Sequence, residues 1–327
     1  MNSGRDRIIV PPRRRLVTRA PFHLQATVRV LQRRPVNRVE VWDDDRYVRV
    51  LPVEKGHVLA AVTNRGSLDR PDLCFSFLAA SPRALRRETA GRSRQVAERL
   101  GAILGLDVDP TPLRRAALSE PGLREAANAL RGMRPPRFAG LFETFLNVIP
   151  FQQLSLDAGI AIIGRLVERF GPAVEYRGHL FYAPPDSSAI AGARPSALRA
   201  CGLSARKADA LRAIARAIAS GTLDAGQIAG LPTDAALRRL VELPGIGPWS
   251  AALVLLRGFR RLDVFPPGDV GARRGLDALL HGKGTFDDRV RRFGELRGYL
   301  YFLGLGGSLL RMGLIDAAGK EPARFRR

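Results

Sequence analysis

The order of apolar and polar positions divides the chain into a strand-rich start and a helix-rich remainder. Between Pro21 and about Ala80, short stretches alternate as half-buried strands do. Val39-Glu40-Val41-Trp42 is one, and Tyr47-Val48-Arg49-Val50 follows it after an Asp43-Asp44-Asp45 turn. Val58 to Thr63 is a third, stopped by the turn signal Asn64-Arg65-Gly66. The pattern predicts an antiparallel sheet built from hairpins. Ser81-Pro82, a capping residue and a first-turn proline, predicts an arginine-rich amphipathic helix through Leu104. Pro110, Pro112, Pro135 and Pro136 punctuate the join that follows. Beyond Phe138 the apolar spacing is helical: Phe142 to Phe170, ended by Gly171-Pro172, then Ser196 to Ala217 and Thr233 to Val241. No repeat of fixed period and no low-complexity tract interrupts this order. The expected fold class is α+β, with a small N-terminal antiparallel-sheet domain (19–132) before a larger all-helical domain (133–327). Residues 1–18 are expected to form a disordered basic arm.

Composition narrows the partners. Of 327 residues, 46% are hydrophobic, enough to bury a substantial core. Lys and Arg number 53 against 31 Asp and Glu, a formal charge of +22. Such an excess draws a polyanion, nucleic acid first and an anionic membrane surface second. A coding bias toward arginine is the competing explanation. The 2 cysteines, Cys74 and Cys201, make neither a disulfide framework nor a thiolate metal site, and both are expected to be buried. No stretch approaches the roughly 18 apolar residues of a membrane span, and the basic start lacks a signal peptide's apolar run. A cytoplasmic, nucleoid-associated protein without a cofactor is expected.

The most informative stretch is Leu243-Pro244-Gly245-Ile246-Gly247-Pro248, set between two helical patterns. Glycines in a tight turn allow positive φ and leave backbone amides uncovered, and Pro248 suits the first position of a new helix. A helix N-terminus with bare amides is an anion site, suited to a DNA backbone phosphate. Gly245, Ile246, Gly247 and Ser250 are therefore candidate DNA contacts. An ordinary helical corner would use the same residue types. Downstream, Pro266-Pro267-Gly268 stiffens the approach to Asp269, at the start of another helix. Asp is a favoured N-cap, worth about 1 kcal/mol over Ala, so capping alone would also account for it.

The hairpin followed by an Asp after a proline-rich turn resembles the helix-hairpin-helix DNA glycosylase superfamily, and within it the bacterial 3-methyladenine DNA glycosylase II branch. Phe142 to Leu146, Ile149 to Ser155, Gly202 to Ala208 and Leu255 to Gly258 resemble other segments of that family, and the strand-rich start resembles its N-terminal α+β domain. The resemblance implies that Asp269 is the catalytic carboxylate, stabilising an oxocarbenium-like sugar as the N-glycosidic bond breaks. Bifunctional members carry a nucleophilic Lys about twenty positions before that Asp. Here Trp249 stands there, and an indole forms no Schiff base. A monofunctional glycosylase acting on alkylated purines is implied, one that leaves an abasic site in base excision repair.

Reaching the sugar requires extruding a nucleotide from the duplex. By the same resemblance, Leu154 is the candidate wedge, with Gln153 beside it on the DNA side; a core leucine on a helix has the same appearance. Trp249 is a candidate for the base pocket, with helix packing as its alternative, and the stretch Leu296 to Gly306 resembles the family's late pocket helix, where Tyr299 is the candidate and Tyr301 and Phe302 are the alternatives in shifted register. Arg273 and its neighbour Arg274 could meet phosphates or form a solvated face, and Arg297 resembles a family arginine without an assignable role. The backbone carbonyls of Val241, Leu243 and Ile246 could hold a monovalent cation. The expected partner is damaged double-stranded DNA, bound by a monomer, with no membrane. An oxidised-base glycosylase and a non-catalytic damage-binding protein are the alternatives.

Overall fold

The computed structural model describes residues 13–78 and 90–318. A five-stranded antiparallel sheet has the order β1-β5-β4-β3-β2, with β1 Arg14–Leu16, β2 Val41–Asp43, β3 Arg46–Val53, β4 Gly56–Asn64 and β5 Leu73–Leu78. The predicted hairpins are there: Asp44 and Asp45 turn at positive φ between β2 and β3, and Val48 pairs with Ala61 across β3 and β4. One face of the sheet, carrying Tyr47, Leu51, Val62 and Phe75, packs on helices Leu24–Gln32 and Ala90–Leu104. Val48, Val50, Leu59 and Ala61 on the other face meet Val174, Tyr176 and Phe181 of a small second hairpin. Burial on both faces is why β3 carries an almost unbroken buried run.

The structure corrects several expectations. The basic arm is not wholly irregular, because Arg14–Leu16 pairs with β5 and Leu16 is buried. Residues 1–12 lie outside the described residues, as does the Ser81-Pro82 helix start. Leu24–Gln32 is a helix within the region read as strands; Leu24, Val28 and Leu31 recur at helical spacing on the side that faces the sheet, a stripe the strand reading passed over. The expected helix from 142 to 170 is broken into Leu141–Leu146, a 3-10 turn Ile149–Phe151 and Leu156–Phe170, whose cap Ser155 accepts from Ala158 N–H. Gly202, at φ +100°, similarly divides Pro195–Ala200 from Ala205–Ala219. Nor is the second half all-helical, since Ala173–Tyr176 pairs with His179–Tyr182.

The core is continuous across the expected boundary at 132. Ala26 and Val30 of the first helix pack with Leu130, Leu256, Phe302 and Leu303, so the last helix, Arg297–Arg311, rests on the first. Cys74 and Cys201 are both buried and free. No described helix is long and apolar enough to cross a membrane.

One charged cluster sits inside this core. Arg49 of β3 is bracketed by Glu40 and by Glu143, the latter at 2.7 Å, and Tyr47 Oη donates to Glu40 at 2.5 Å. Burial pushes the Glu143 carboxyl up, and Arg49 pulls it back. Removing the cation would strand two buried carboxylates. Arg49→Met is expected to lower stability by about 3–5 kcal/mol, read from the urea midpoint at unchanged slope.

Candidate active site

The hairpin is fixed from beneath. Ile246 is buried in the helical core, and its N–H donates to the Leu243 carbonyl at 3.1 Å. Gly245 takes φ +75°, and a β-carbon there would lie 2.8 Å from Ala210 Cβ. Gly247 precedes the helix Pro248–Phe259 with an ordinary φ of −97°, so only Gly245 uses the left-handed region. Gly247 supplies no side-chain cap, and a β-carbon on it would meet nothing within 4 Å. The amides of that first helical turn are therefore open to an approaching anion. Of the expected contacts, Ile246 has its amide engaged in the turn, and the Ser250 side chain is buried behind the hairpin. Gly245 and Gly247 remain at the surface of a cavity of about 570 Å³.

Asp269 lines that same cavity, together with Phe151, Leu154, Lys207 and Trp249. Gly268, at φ +68°, turns the chain into the helix Val270–Leu276. The Asp269 carboxylate is held at both oxygens. Oδ1 accepts the Ala272 N–H at 2.8 Å as an N-cap, and Oδ2 accepts the Trp249 indole N–H at 2.9 Å. Capping and cavity placement thus coexist in one side chain. Each carboxylate oxygen has a second lone pair, so the group can still face a positive partner. Trp249 packs between two apolar clusters and orients the carboxylate through its edge.

Two residues with no assigned role brace the opposite wall. Gln152 Nε2 donates to the Gly245 carbonyl at 2.8 Å and to Ser250 Oγ at 2.9 Å, tying the loop after the 3-10 turn to the hairpin. Lys207 Nζ donates to the Gln152 carbonyl at 2.6 Å and the Pro150 carbonyl at 3.1 Å. Burial pushes the Lys207 ammonium down. Nothing in local spacing marks Lys207, because its partners lie 55 and 57 positions away. The braced loop presents Gln153, exposed at φ +55°, and Leu154, 44% exposed at the cavity rim and so not a core leucine.

Other candidates fall elsewhere. Tyr299 is buried in the core formed by the first and last helices and borders a separate cavity beside Pro21, Gly132 and Met133. Its neighbour two positions on, Tyr301, lies about 200° round the helix and has Asp269 as an electrostatic neighbour. The resemblance points to this helix but does not fix its rotation. Arg273 is exposed, stacked 5.7 Å from the Phe286 ring centre and 3.9 Å from Asp277, and is not part of the cavity; Arg274 is exposed as well. Arg206 and Lys207 line the cavity instead. Arg297 borders a groove on the far side of the hairpin, with Val241 and Pro248. Of the three carbonyls expected to hold a cation, that of Leu243 already accepts the Ile246 N–H. Among the described residues no group of three or more His, Cys, Asp or Glu could hold a metal.

Comparison with known proteins places this arrangement in a class. Residues 146–295 match the HhH-GPD superfamily base excision DNA repair protein family, and residues 13–139 match the AlkA N-terminal domain. The chain thus carries an HhH-GPD superfamily domain behind an AlkA N-terminal domain. It is 31% identical over 185 residues to a DNA-3-methyladenine glycosylase of Bacillus subtilis, covering 56% of this chain and 61% of that one. It is 31% identical over 261 residues to a probable bifunctional transcriptional activator/DNA repair enzyme AlkA of Mycobacterium tuberculosis, covering 79% of this chain and 49% of that one. The chain thus spans about half to three-fifths of the length of these curated relatives. The solved 3-methyladenine DNA-glycosylase from Archaeoglobus fulgidus superposes with a TM-score of 0.70 at 25% identity, covering 92% of this chain and 98% of that one.

Removing the Gln152 amide would leave the buried Ser250 hydroxyl without its donor and release the hairpin from the loop. Gln152→Ala is expected to cost about 1–2 kcal/mol, visible as a lower thermal midpoint.

Proposed function

We propose that this protein is a monofunctional DNA glycosylase that extrudes alkylated purines of the 3-methyladenine type and hydrolyses their glycosidic bond. One observation carries the reading: a single carboxylate, pinned at both oxygens, shares a cavity with the open amides of the hairpin. The names of the relatives supply the substrate class.

In this reading the hairpin amides grip a backbone phosphate beside the damaged nucleotide, a contact that positions DNA without reading sequence. Leu154, held out by the Gln152 and Lys207 braces, fills the gap in the stack. The everted sugar then faces Asp269. As the C1′–N bond breaks, both bonding electrons leave with the base, and the ionised Asp269 stabilises the cationic sugar until water adds. Trp249 and Ala272 hold the carboxylate in place beforehand, so little reorganisation accompanies the step.

Lyase chemistry would need a free amine at C1′. Trp249 offers none, and Lys207, the amine lining the cavity, has two of its protons engaged by backbone carbonyls. The abasic product is therefore released intact, and the protein works as a monomer on duplex DNA.

Wild-type protein incubated with methylated duplex is expected to release 3-methyladenine and to leave strands that break only after alkali. Asp269→Asn should slow release by about a hundredfold or more while still binding an abasic duplex. Tight binding by wild type with no release would identify a damage-binding protein instead, and strand breakage without alkali would restore the lyase. The logarithm of DNA affinity should also fall linearly with the logarithm of salt concentration. A salt-insensitive complex would remove the phosphate contact from the scheme.

A further inference from the structure

The loop that carries Leu154 is backed by a distant segment, residues 33–40, which joins the helix Leu24–Gln32 to β2. The segment is tied to itself and to the sheet. Asn37 Nδ2 donates to the Gln32 carbonyl at 3.0 Å, and Asn37 Oδ1 accepts the Val39 and Glu40 amides at 2.9 and 3.0 Å. Glu40 in turn is held by Tyr47 and Arg49. Three side chains reach from this segment toward the loop and the helix that follows it. Val39 is buried against Phe151, Ile160 and Val167. Arg34 Nε meets Asp157 Oδ1 at 2.6 Å, in the first turn of Leu156–Phe170. The third is Arg33.

Arg33 is buried, its Nη2 donates to Asn147 Oδ1 at 2.5 Å, and its guanidinium carbon lies 4.3 Å from the ring centre of Phe151. A guanidinium donates in its own plane while its face stays free for an aromatic ring, an arrangement an ammonium does not offer. Burial pushes Arg33 down to about 9, which leaves it charged at neutral pH and makes the ring contact a desolvated cation–π pair. Asn147 is itself fixed as the cap of Leu141–Leu146, its Nδ2 donating to the Glu143 carbonyl at 3.0 Å. The backbone of Arg33 sits at φ +67°, a left-handed conformation in which a helix end commonly places glycine. The cost of keeping a side chain there is offset by what the guanidinium grips.

Phe151 carries the constraint to the rim. Its ring leaves no room for a side chain at position 159, where a β-carbon on Gly159 would fall 2.3 Å from Phe151 Cδ1. Its carbonyl accepts the Leu154 N–H at 3.2 Å, and it lines the cavity beside Leu154 and Asp269. A Phe151 released from Arg33 frees the carbonyl that holds Leu154.

We infer that Arg33 is a positioning residue for nucleotide extrusion, fixing Phe151 and through it the pose of Leu154. This rests on the glycosylase reading, and it brings the N-terminal sheet domain into a step whose other residues all follow position 146. Arg33 is buried behind the ring, so it acts through Phe151 and not on DNA.

The test is a double-mutant cycle on single-turnover release of 3-methyladenine from methylated duplex, with Arg33→Met, Leu154→Ala and the two combined. Each single change is expected to slow release about tenfold or more, since small misplacements cost that much. Because Arg33 acts through Leu154, the double variant should be slower than Leu154→Ala by less than about twofold. A general loss of folded protein would instead multiply with the loss of Leu154. Phe151→Leu, which removes the ring and leaves Arg33 in place, runs the same cycle where Arg33→Met folds poorly. A second readout is the fluorescence of 2-aminopurine beside a tetrahydrofuran abasic analogue, which rises as the stack is opened. The rise is expected with wild type and is weakened alike in Arg33→Met and Leu154→Ala. Multiplied rate losses, an Arg33→Met as fast as wild type, or an undiminished fluorescence rise in that variant would each overturn the inference while the glycosylase reading stands. A Leu154→Ala as fast as wild type also overturns the inference alone. A wild type that releases no base overturns both.

Discussion

The paired hold on Asp269 is the interaction on which the rest of the site depends. One oxygen closes the helix Val270–Leu276 and the other takes the indole proton of a residue on the hairpin's second helix. The carboxylate therefore belongs to two elements at once and cannot swing with either. Further links complete a circuit: Lys207 grips the loop around Pro150 and Gln152, and Gln152 grips the hairpin that carries Trp249. Each such hydrogen bond contributes only about 1 kcal/mol net. Their joint effect is geometric, because the rim leucine, the open amides and the acid are fixed relative to one another.

Charge is distributed with the same economy. The excess of basic residues that attracts a polyanion is a property of the whole chain, whereas the cavity pairs one acid with Arg206 and Lys207 on its wall. Deeper in, the acids are matched around Arg49, but Arg33 and Arg257 are left to aromatic rings. Cation–π contact offsets part of their desolvation without neutralising them. Positive charge thus persists at Arg33, behind the Phe151 ring that lines the cavity of Asp269.

Much of this was legible in the chain because it is local. The hairpin turn, Pro248 at a helix start and Asp269 as a cap are all set by neighbours within a few positions, and the strand alternation of 39–64 likewise. What escaped is set by distance. Leu24–Gln32 is the exception, since Leu24, Val28 and Leu31 do recur at helical spacing, but its 9 residues are fewer than the window over which a helical period is read. The small strands at 173–182 are defined by the sheet they cover. Tyr299 was preferred to Tyr301 because a run of apolar residues in Gly298 to Leu310 leaves the helix's rotation undetermined until its packing partners are known. Lys207 and Gln152 were unreadable as braces for the same reason, their partners lying 55 to 98 positions away.

The seating of the last helix against the first has a temporal consequence. During synthesis the ribosome delivers the sheet well before residues 297–311 emerge, and domains tend to fold as their chain appears. The apolar side of Leu24–Gln32 that carries Ala26 and Val30 must then wait, uncovered, for a segment made some 270 residues later. Nascent chains at that stage expose a sticky stripe that a chaperone or a protease could seize.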